Sequence, residues 1–287
     1  MPNNIESRPD EDARRRFWTE HMERSHHLLQ AMTEHPTFES GEGFASISDA
    51  AAEAGVELLF SNSKIAGELE RIFYIRESLI PDLLAIARAM RQRGWLLKIE
   101  DGYRTQQMQT ELGQKPAVFD MIVGSCRWEL GGETPPLDLI RRRSTCLVAN
   151  YPNRGTHTMG AAVDISVFNL DNGEEISRGK SYLEMSEYTP MDSPFISPEE
   201  QQNRREITAE MERHGFLHYP GEFWHYNKGD ALYHYMAKTD KAADYGPVHW
   251  DPATNQVTPY DDVSSPLTPP AAMAAHLEAA IARLDAQ

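Results

Sequence analysis

One carboxylate lies inside an otherwise apolar segment of this sequence, and it limits how the chain can fold. The segment AAVDISVF, residues 161–168, is apolar and β-branched and predicts a strand with Asp164 in its middle. An unpaired buried carboxylate is energetically expensive, so Asp164 needs a cationic partner. Either a metal ion or an arginine would satisfy that need, and the strand alone does not choose between them.

Helix and strand signals alternate from about Glu53 onward. Residues 78–94 have a proline in the first turn, helical apolar spacing and Gly94 as a stop, and WLLKIE follows as a strand. Ser197 and Glu200 predict a capping box for a helix that ends at Gly215. The further predicted elements are a helix over 106–112, a turn at 171–173, and short strands in FLHY and FWHYN. The pattern predicts an α+β fold: a small, mostly antiparallel central sheet with helices packed on it, plus N- and C-terminal helical extensions.

The predicted organisation has three segments. Residues 1–50 form an N-terminal helical extension, 51–240 form the main domain, and 241–287 form a Pro-rich linker with a C-terminal helix. The extension should contain a helix over 10–35, with His26 and His27 solvated, and a Gly- and Ser-rich linker. Residues 113–155 show few clear elements, and the basic run 141–143 is expected to be a solvated face. The terminal helices could also assemble the chain into a homo-oligomer.

Composition and charge exclude several function classes. The 287 residues include 28 Lys and Arg against 44 Asp and Glu, a formal net charge of −16. Such a surface repels phosphate backbones and anionic headgroups, so neither nucleic acid nor a membrane is an expected partner. The N-terminus lacks a secretory apolar region, which predicts a cytoplasmic protein. Cys126 and Cys146 are twenty residues apart and are expected to be free thiols.

Two short motifs carry candidate metal ligands. His157 and Asp164 are seven residues apart, too far for one ion in a regular strand or helix, so the chain must fold back between them. Gly155 and Gly160 permit such a turn. In the second motif, Glu222 and His225 are three apart in an aromatic segment, which requires a turn or bulge at the start of its strand.

An arginine completes the set of candidate residues. Arg104 follows Asp101, Gly102 and Tyr103 at the end of the strand WLLKIE. A guanidinium beside a pocket suits a substrate carboxylate or a developing oxyanion, although a structural salt bridge is an equal alternative.

In this order and spacing, the pattern YR, HxxGxAxD and ExWHY resembles the VanX-type D-alanyl-D-alanine dipeptidases. These zinc peptidases share a fold with the D-Ala-D-Ala carboxypeptidases and the hedgehog signalling domain, and the resemblance covers about 55–235. It implies that zinc is held by His157, Asp164 and His225. It also implies that Glu222 is the general base and that Arg104 stabilises the tetrahedral intermediate. The expected role is peptidoglycan-related hydrolysis of D-Ala-D-Ala or a similar small dipeptide.

The sequence departs from the family pattern at positions that are expected to bind the substrate. Gly155 stands where the family has a serine, so Thr156 is expected to contact the substrate carboxylate, with Tyr103 beside it. Asp192 or Glu187 is expected to bind the substrate amine. The alternatives are a peptidase for longer cell-wall peptides, a relative diverted to another small amide in a biosynthetic pathway, and a non-catalytic zinc-binding module.

Overall fold

A five-stranded sheet organises the computed structural model, which describes residues 10–286. The nine strands of the described chain are β1 (Phe44–Ser46), β2 (Leu59–Phe60), β3 (Tyr74–Arg76), β4 (Trp95–Asp101), β5 (Ala162–Asn169), β6 (Leu217–His218), β7 (His225–Asn227), β8 (Val248–Asp251) and β9 (Gln256–Pro259). The helices within the same range are α1 (Glu11–Ala31), α2 (Ile47–Glu53), α3 (Ile80–Gln92), α4 (Gln106–Gln114), α5 (Pro116–Glu129), α6 (Leu137–Val148), α7 (Pro198–Arg213), α8 (Ala231–Ala237) and α9 (Pro270–Asp285).

The register of the central sheet aligns three polar residues. The strand order is β2-β4-β5-β7-β6, in which β2 and β4 are parallel and the other neighbours are antiparallel. A register shift near the end of β4 pairs Asp101 with Asp164 on β5, and Asp164 pairs in turn with His225 on β7. The predicted α+β fold with a mostly antiparallel sheet is confirmed, and its register places a row of polar side chains across three strands.

Two apolar cores support the sheet. One contains Ile165 and Val167 of β5 together with buried residues of α3 and α7, including Leu83 and Ile207. The second lies among α1, α5, α6 and α9, with Trp18 almost completely buried. The expectation of few clear elements in 113–155 is therefore wrong, because this range contains α5 and α6. Their apolar residues recur at helical spacing, but no strong cap marks either N-terminus.

The terminal segments also carry more structure than predicted. The segment that was expected to be a linker contains β1, which pairs with β3. Beyond residue 240, β8 and β9 form an antiparallel pair. Helix α9 packs on α5 and α6, so its apolar face is covered by this chain. The three-segment division and the homo-oligomer stay predictions.

Two predictions of solvent-facing residues are wrong in part: His26 and Arg143 are buried, whereas His27 is exposed and Arg141 and Arg142 are half-buried. Arg143 is only 1% exposed, and its Nε donates to Glu129 Oε2 at 2.9 Å. His26 is 5% exposed, and burial lowers its pKa to about 4. Both residues lie where α1 packs against α6, a contact that local sequence does not reveal.

The fold-back between His157 and Asp164 depends on one glycine. Residues 156–159 form a short 3₁₀ helix, and Gly160 then takes φ +68° before β5 begins. Gly155 has φ −106°, a conformation open to any residue, so only Gly160 makes the predicted glycine turn.

Gly160→Ala is expected to destabilise the fold by about 2–4 kcal/mol, because left-handed backbone strain adds to steric overlap. A Cβ at residue 160 would overlap the ring of Phe44. Urea unfolding measures the change in free energy. Gly131→Ala is the matched control, since Gly131 has φ +70° with nothing within 4 Å of the added Cβ. Equal losses in the two variants would contradict the steric part of the expectation.

No described helix combines the length and the apolar character that crossing a membrane requires. The cytoplasmic location stays a prediction.

Candidate active site

Three predicted ligands meet at one point of the sheet. The candidate ligand atoms of His157, Asp164 and His225 all lie within 4.8 Å of one another. Asp164 Oδ1 is 3.3 Å from His157 Nε2 and 2.9 Å from His225 Nδ1. The 3₁₀ helix brings His157 back over β5, as the spacing of the motif required.

Neighbouring groups orient each ligand. His157 Nδ1 is 2.7 Å from the carbonyl oxygen of Gly102, to which it can donate, so its Nε2 is left for a metal. His225 Nε2 is 2.8 Å from Thr156 Oγ1, which leaves Nδ1 on the side of Asp164. Hydrogen bonds of this kind fix the ring orientation of metal-binding histidines. Two imidazole nitrogens and one carboxylate oxygen fit a catalytic zinc site with an open fourth position.

Several hydrogen-bonding and cationic groups surround the carboxylate of Asp164. Burial opposes its ionisation, but His157 and His225 hold the pKa of its carboxyl well below the usual range. Its Oδ2 accepts a hydrogen bond from the Tyr182 hydroxyl at 2.9 Å, and Arg104 Nη2 lies 3.8 Å away. Burial also raises the pKa of Tyr182, so this phenol stays a donor. Of the two explanations left open by the sequence, the structure shows the arginine, and His157, Asp164 and His225 have the spacing that a metal would need.

Glu222 lies in the turn before β7, as the three-residue spacing required. Its carbonyl oxygen accepts from the His225 amide at 3.2 Å, and its own amide donates to Tyr219. Burial raises the pKa of the Glu222 carboxyl to about 7, against the opposing effect of His225. A carboxyl with a pKa near neutrality is suited to exchange protons at physiological pH. A nearby divalent cation would lower that pKa.

Arg104 is held by a buried carboxylate at the end of β4. Its Nε and Nη2 lie 2.8 and 2.7 Å from Asp101 Oδ2, and Asp101 is completely buried. Although burial opposes its charge, Asp101 and Asp164 keep the pKa of Arg104 above its usual value. The guanidinium is therefore a fixed cation beside the candidate metal ligands.

Sequence reasoning missed a second arginine. Arg71 Nη1 is 3.2 Å from the same Asp101 Oδ2, and its side chain is only 3% exposed. Its Nε donates to the Ser63 carbonyl at 2.7 Å, and the guanidinium lies 5.6 Å from the Tyr182 ring centre. Arg71 precedes β3 in a segment without a motif, so only its contact with Asp101 reveals it.

The cluster opens into a cavity of about 190 Å³. This is below the roughly 300–1,000 Å³ of pockets for drug-sized ligands, which suits a small substrate. The predicted site residues on its wall are Arg104, Thr156, His157, Asp164, Glu222 and His225.

Other predicted substrate-binding residues lie elsewhere. Tyr103 does not line this cavity, and its buried hydroxyl donates to the Val248 carbonyl at 2.7 Å. The Asp192 side chain is 62% exposed and lies 3.6 Å from Arg24. Glu187 forms an ion pair with Arg14 and lines a separate, shallow cavity. Neither carboxylate lines the cavity that contains His157, Asp164 and His225.

The two cysteines are free thiols, as predicted. Burial raises the pKa of both Cys126 and Cys146 to about 12. Both remain protonated at neutral pH, so neither is an activated nucleophile.

Residues 141–241 match the model of the peptidase M15 family, described as D-ala-D-ala dipeptidase. The D-alanyl-D-alanine dipeptidase of Enterococcus faecium is 36% identical over 81 residues, which cover 28% of this chain and 40% of that protein. Its counterpart from Synechocystis sp. is 35% identical over 88 residues, covering 27% of this chain and 35% of that protein. This chain thus spans about two fifths or less of the length of these curated relatives.

Two solved structures show weaker similarity. The LD-carboxypeptidase LdcB has a TM-score of 0.33 and 19% identity, covering 64% of this chain and 73% of that chain. The vancomycin resistance D,D-pentapeptidase VanY, in complex with Zn(II), has a TM-score of 0.33 and 21% identity, covering 64% and 94%.

Proposed function

We propose that this chain is a zinc-dependent dipeptidase. Its predicted relationship to the D-Ala-D-Ala dipeptidases is confirmed over residues 141–241. The proposed substrate is D-Ala-D-Ala or a similar small dipeptide containing D-residues. The observation that carries the proposal is the meeting of His157, Asp164 and His225 within 4.8 Å, on the wall of the cavity that Glu222 and Arg104 also line. The three ligands and Glu222 all lie inside the matched segment.

The proposed roles follow from position and charge. Zinc bound by the three ligands would supply a Lewis acid and a water of lowered pKa. Glu222 takes a proton from the attacking water and returns it to the leaving amine, since its carboxyl lines the same cavity as the three ligands. Arg104 stabilises the negative charge that develops on the carbonyl oxygen, because Asp101 holds its guanidinium in place before reaction.

Neighbouring residues position the proposed zinc ligands. Tyr182 donates to the free oxygen of Asp164, and Gly102 orients His157. Thr156 touches His225 and lines the cavity, which supports its proposed contact with the substrate carboxylate. Tyr103 and Asp192 remain weaker candidates, because neither lines the cavity.

A panel of dipeptides tests the proposed function. Zinc-loaded protein is incubated with L,L, L,D and D,D dipeptides, and the release of free amine is measured. We expect D,D dipeptides to be hydrolysed fastest, and removal of zinc with a chelator to abolish the release. Stoichiometric zinc binding without turnover of any dipeptide would instead indicate a zinc-binding module, and the dipeptidase proposal would be withdrawn.

A further inference from the structure

One side of the active-site cavity is apolar. We call this surface the apolar wall, and its members are Leu29, Leu112, Val118, Met121, Leu147 and Met185. They come from α1, α4, α5, α6 and the segment before α7. Four of the six lie outside residues 141–241, so most of the wall is built by chain beyond the family match.

Two polar side chains beside the apolar wall, Gln109 and Thr145, already have partners within the protein. Gln109 donates its amide to the Val148 carbonyl at 2.5 Å, and its oxygen lies 3.3 Å from Arg104 Nη1. The Thr145 hydroxyl donates to the Arg141 carbonyl at 2.9 Å. Water at this wall would therefore find few hydrogen-bonding groups, whereas an apolar substituent would displace it favourably.

The charged groups of the same cavity favour an anion. Arg71, Arg104 and Arg154 line it together with Asp164 and Glu222, and the buried Asp101 behind them pairs with Arg71 and Arg104. Within the described residues, the buried Nε of Arg154 has no hydrogen-bond partner, so this guanidinium can still donate to a ligand. A guanidinium with a free donor attracts a carboxylate. Bound zinc would add to that attraction.

From these two features we infer that the substrate is a short amide that carries a free carboxylate and a large apolar group, which the apolar wall contacts. This inference rests on the proposed function and specifies its substrate class. The apolar group could be the side chain of a free-amine dipeptide or the acyl chain of an N-acyl amino acid. Both present the same chemistry to the wall, and the experiment separates them.

The first measurement compares substrates of increasing apolar size. Zinc-loaded full-length protein is assayed with D-Ala-D-Ala, D-Leu-D-Ala and D-Phe-D-Ala, and with N-butanoyl- and N-hexanoyl-D-Ala. We expect kcat/KM to rise about 10-fold or more from D-Ala-D-Ala to the preferred apolar substrate, the scale of discrimination by added methylenes in an apolar pocket. Whichever series rises further identifies the source of the apolar group. A constant or falling kcat/KM in both series would overturn the inference.

Wall-filling variants provide the second measurement. Met121→Phe and Val118→Phe should each lower the ratio of kcat/KM for the preferred apolar substrate to that for D-Ala-D-Ala by about 10-fold, because they occupy the space that the apolar group needs. Val118 and Met121 are both half-buried, so each position can test the apolar wall if the variant at the other fails to fold. Met236→Phe is the matched control, since Met236 packs on the same core but does not line the cavity. An unchanged ratio of kcat/KM values in both folded variants would contradict the inference that the apolar wall contacts the substrate.

Binding separates failure of this inference from failure of the proposed function. The same compounds are titrated into zinc-loaded Glu222→Gln by calorimetry, which needs no turnover. If wild type hydrolyses no dipeptide but affinity rises with apolar size, the dipeptidase proposal fails and the substrate class stands. If D-Ala-D-Ala is hydrolysed but affinity does not depend on apolar size, the dipeptidase proposal stands and this inference is overturned.

Discussion

Glu222→Gln is expected to lower kcat for the best dipeptide by about 10²–10⁴-fold, the usual contribution of a general acid–base group. Glutamine has nearly the same shape and can keep the turn before β7, but it cannot accept the proton of the attacking water. Glu222 is not part of the ligand cluster, so stoichiometric zinc binding should persist. Steady-state kinetics and metal analysis of the same sample measure the two effects.

A matched carboxylate controls for a general effect of losing a buried charge. Glu210→Gln removes a carboxylate that is 2% exposed and paired with Arg213 on α7, away from the active-site cavity. Its kcat should stay near that of wild type. If Glu222→Gln loses zinc, or retains full kcat, the role of Glu222 as the base is wrong.

His225→Ala is expected to weaken zinc binding by more than about 100-fold. Loss of a group that merely orients a ligand costs about 10–100-fold in metal affinity, so loss of a ligand costs more. Competition with a chromophoric chelator measures the affinity. Zinc should also raise the Tm of wild type and have little effect on the Tm of the variant, since a metal stabilises only the state that binds it.

His218→Ala is the control for this loss. His218 lies on β6, one strand from His225, but its ring pairs with Glu212 at 2.7 Å and does not belong to the ligand cluster. Its zinc affinity should match that of wild type. Unchanged affinity in His225→Ala would remove His225 from the ligand set, and with it the geometry on which the proposed function depends.

The elements that position the candidate site were predictable because their signals are local. The apolar run around Asp164 predicts β5, the capping box predicts α7, and the Glu222 spacing predicts a turn. In each case a few consecutive residues determine the backbone through turn chemistry, capping or side-chain alternation. The structure brings together the three candidate ligands that the order and spacing of the motifs indicated.

Other features depend on contacts between distant segments. Arg71 reaches Asp101 from a loop thirty residues earlier, and no pattern marks it. The burial of His26 and Arg143 follows from the packing of α1 on α6, whose partners are separated by more than one hundred residues. The placements of Tyr103 and Asp192 outside the cavity have the same origin.

The sequence by itself determined the side chains of the candidate site: two imidazoles, a carboxylate in an apolar strand, a nearby glutamate and an arginine at a strand end. These identities and spacings restrict the backbone locally, so they could be recognised before the fold was known. The tertiary structure alone decided what surrounds them, namely the second arginine and the apolar wall that α1, α4, α5 and α6 supply. Helical periodicity shows which face of a helix is apolar, but the face that covers it depends on how helices pack over long sequence separations.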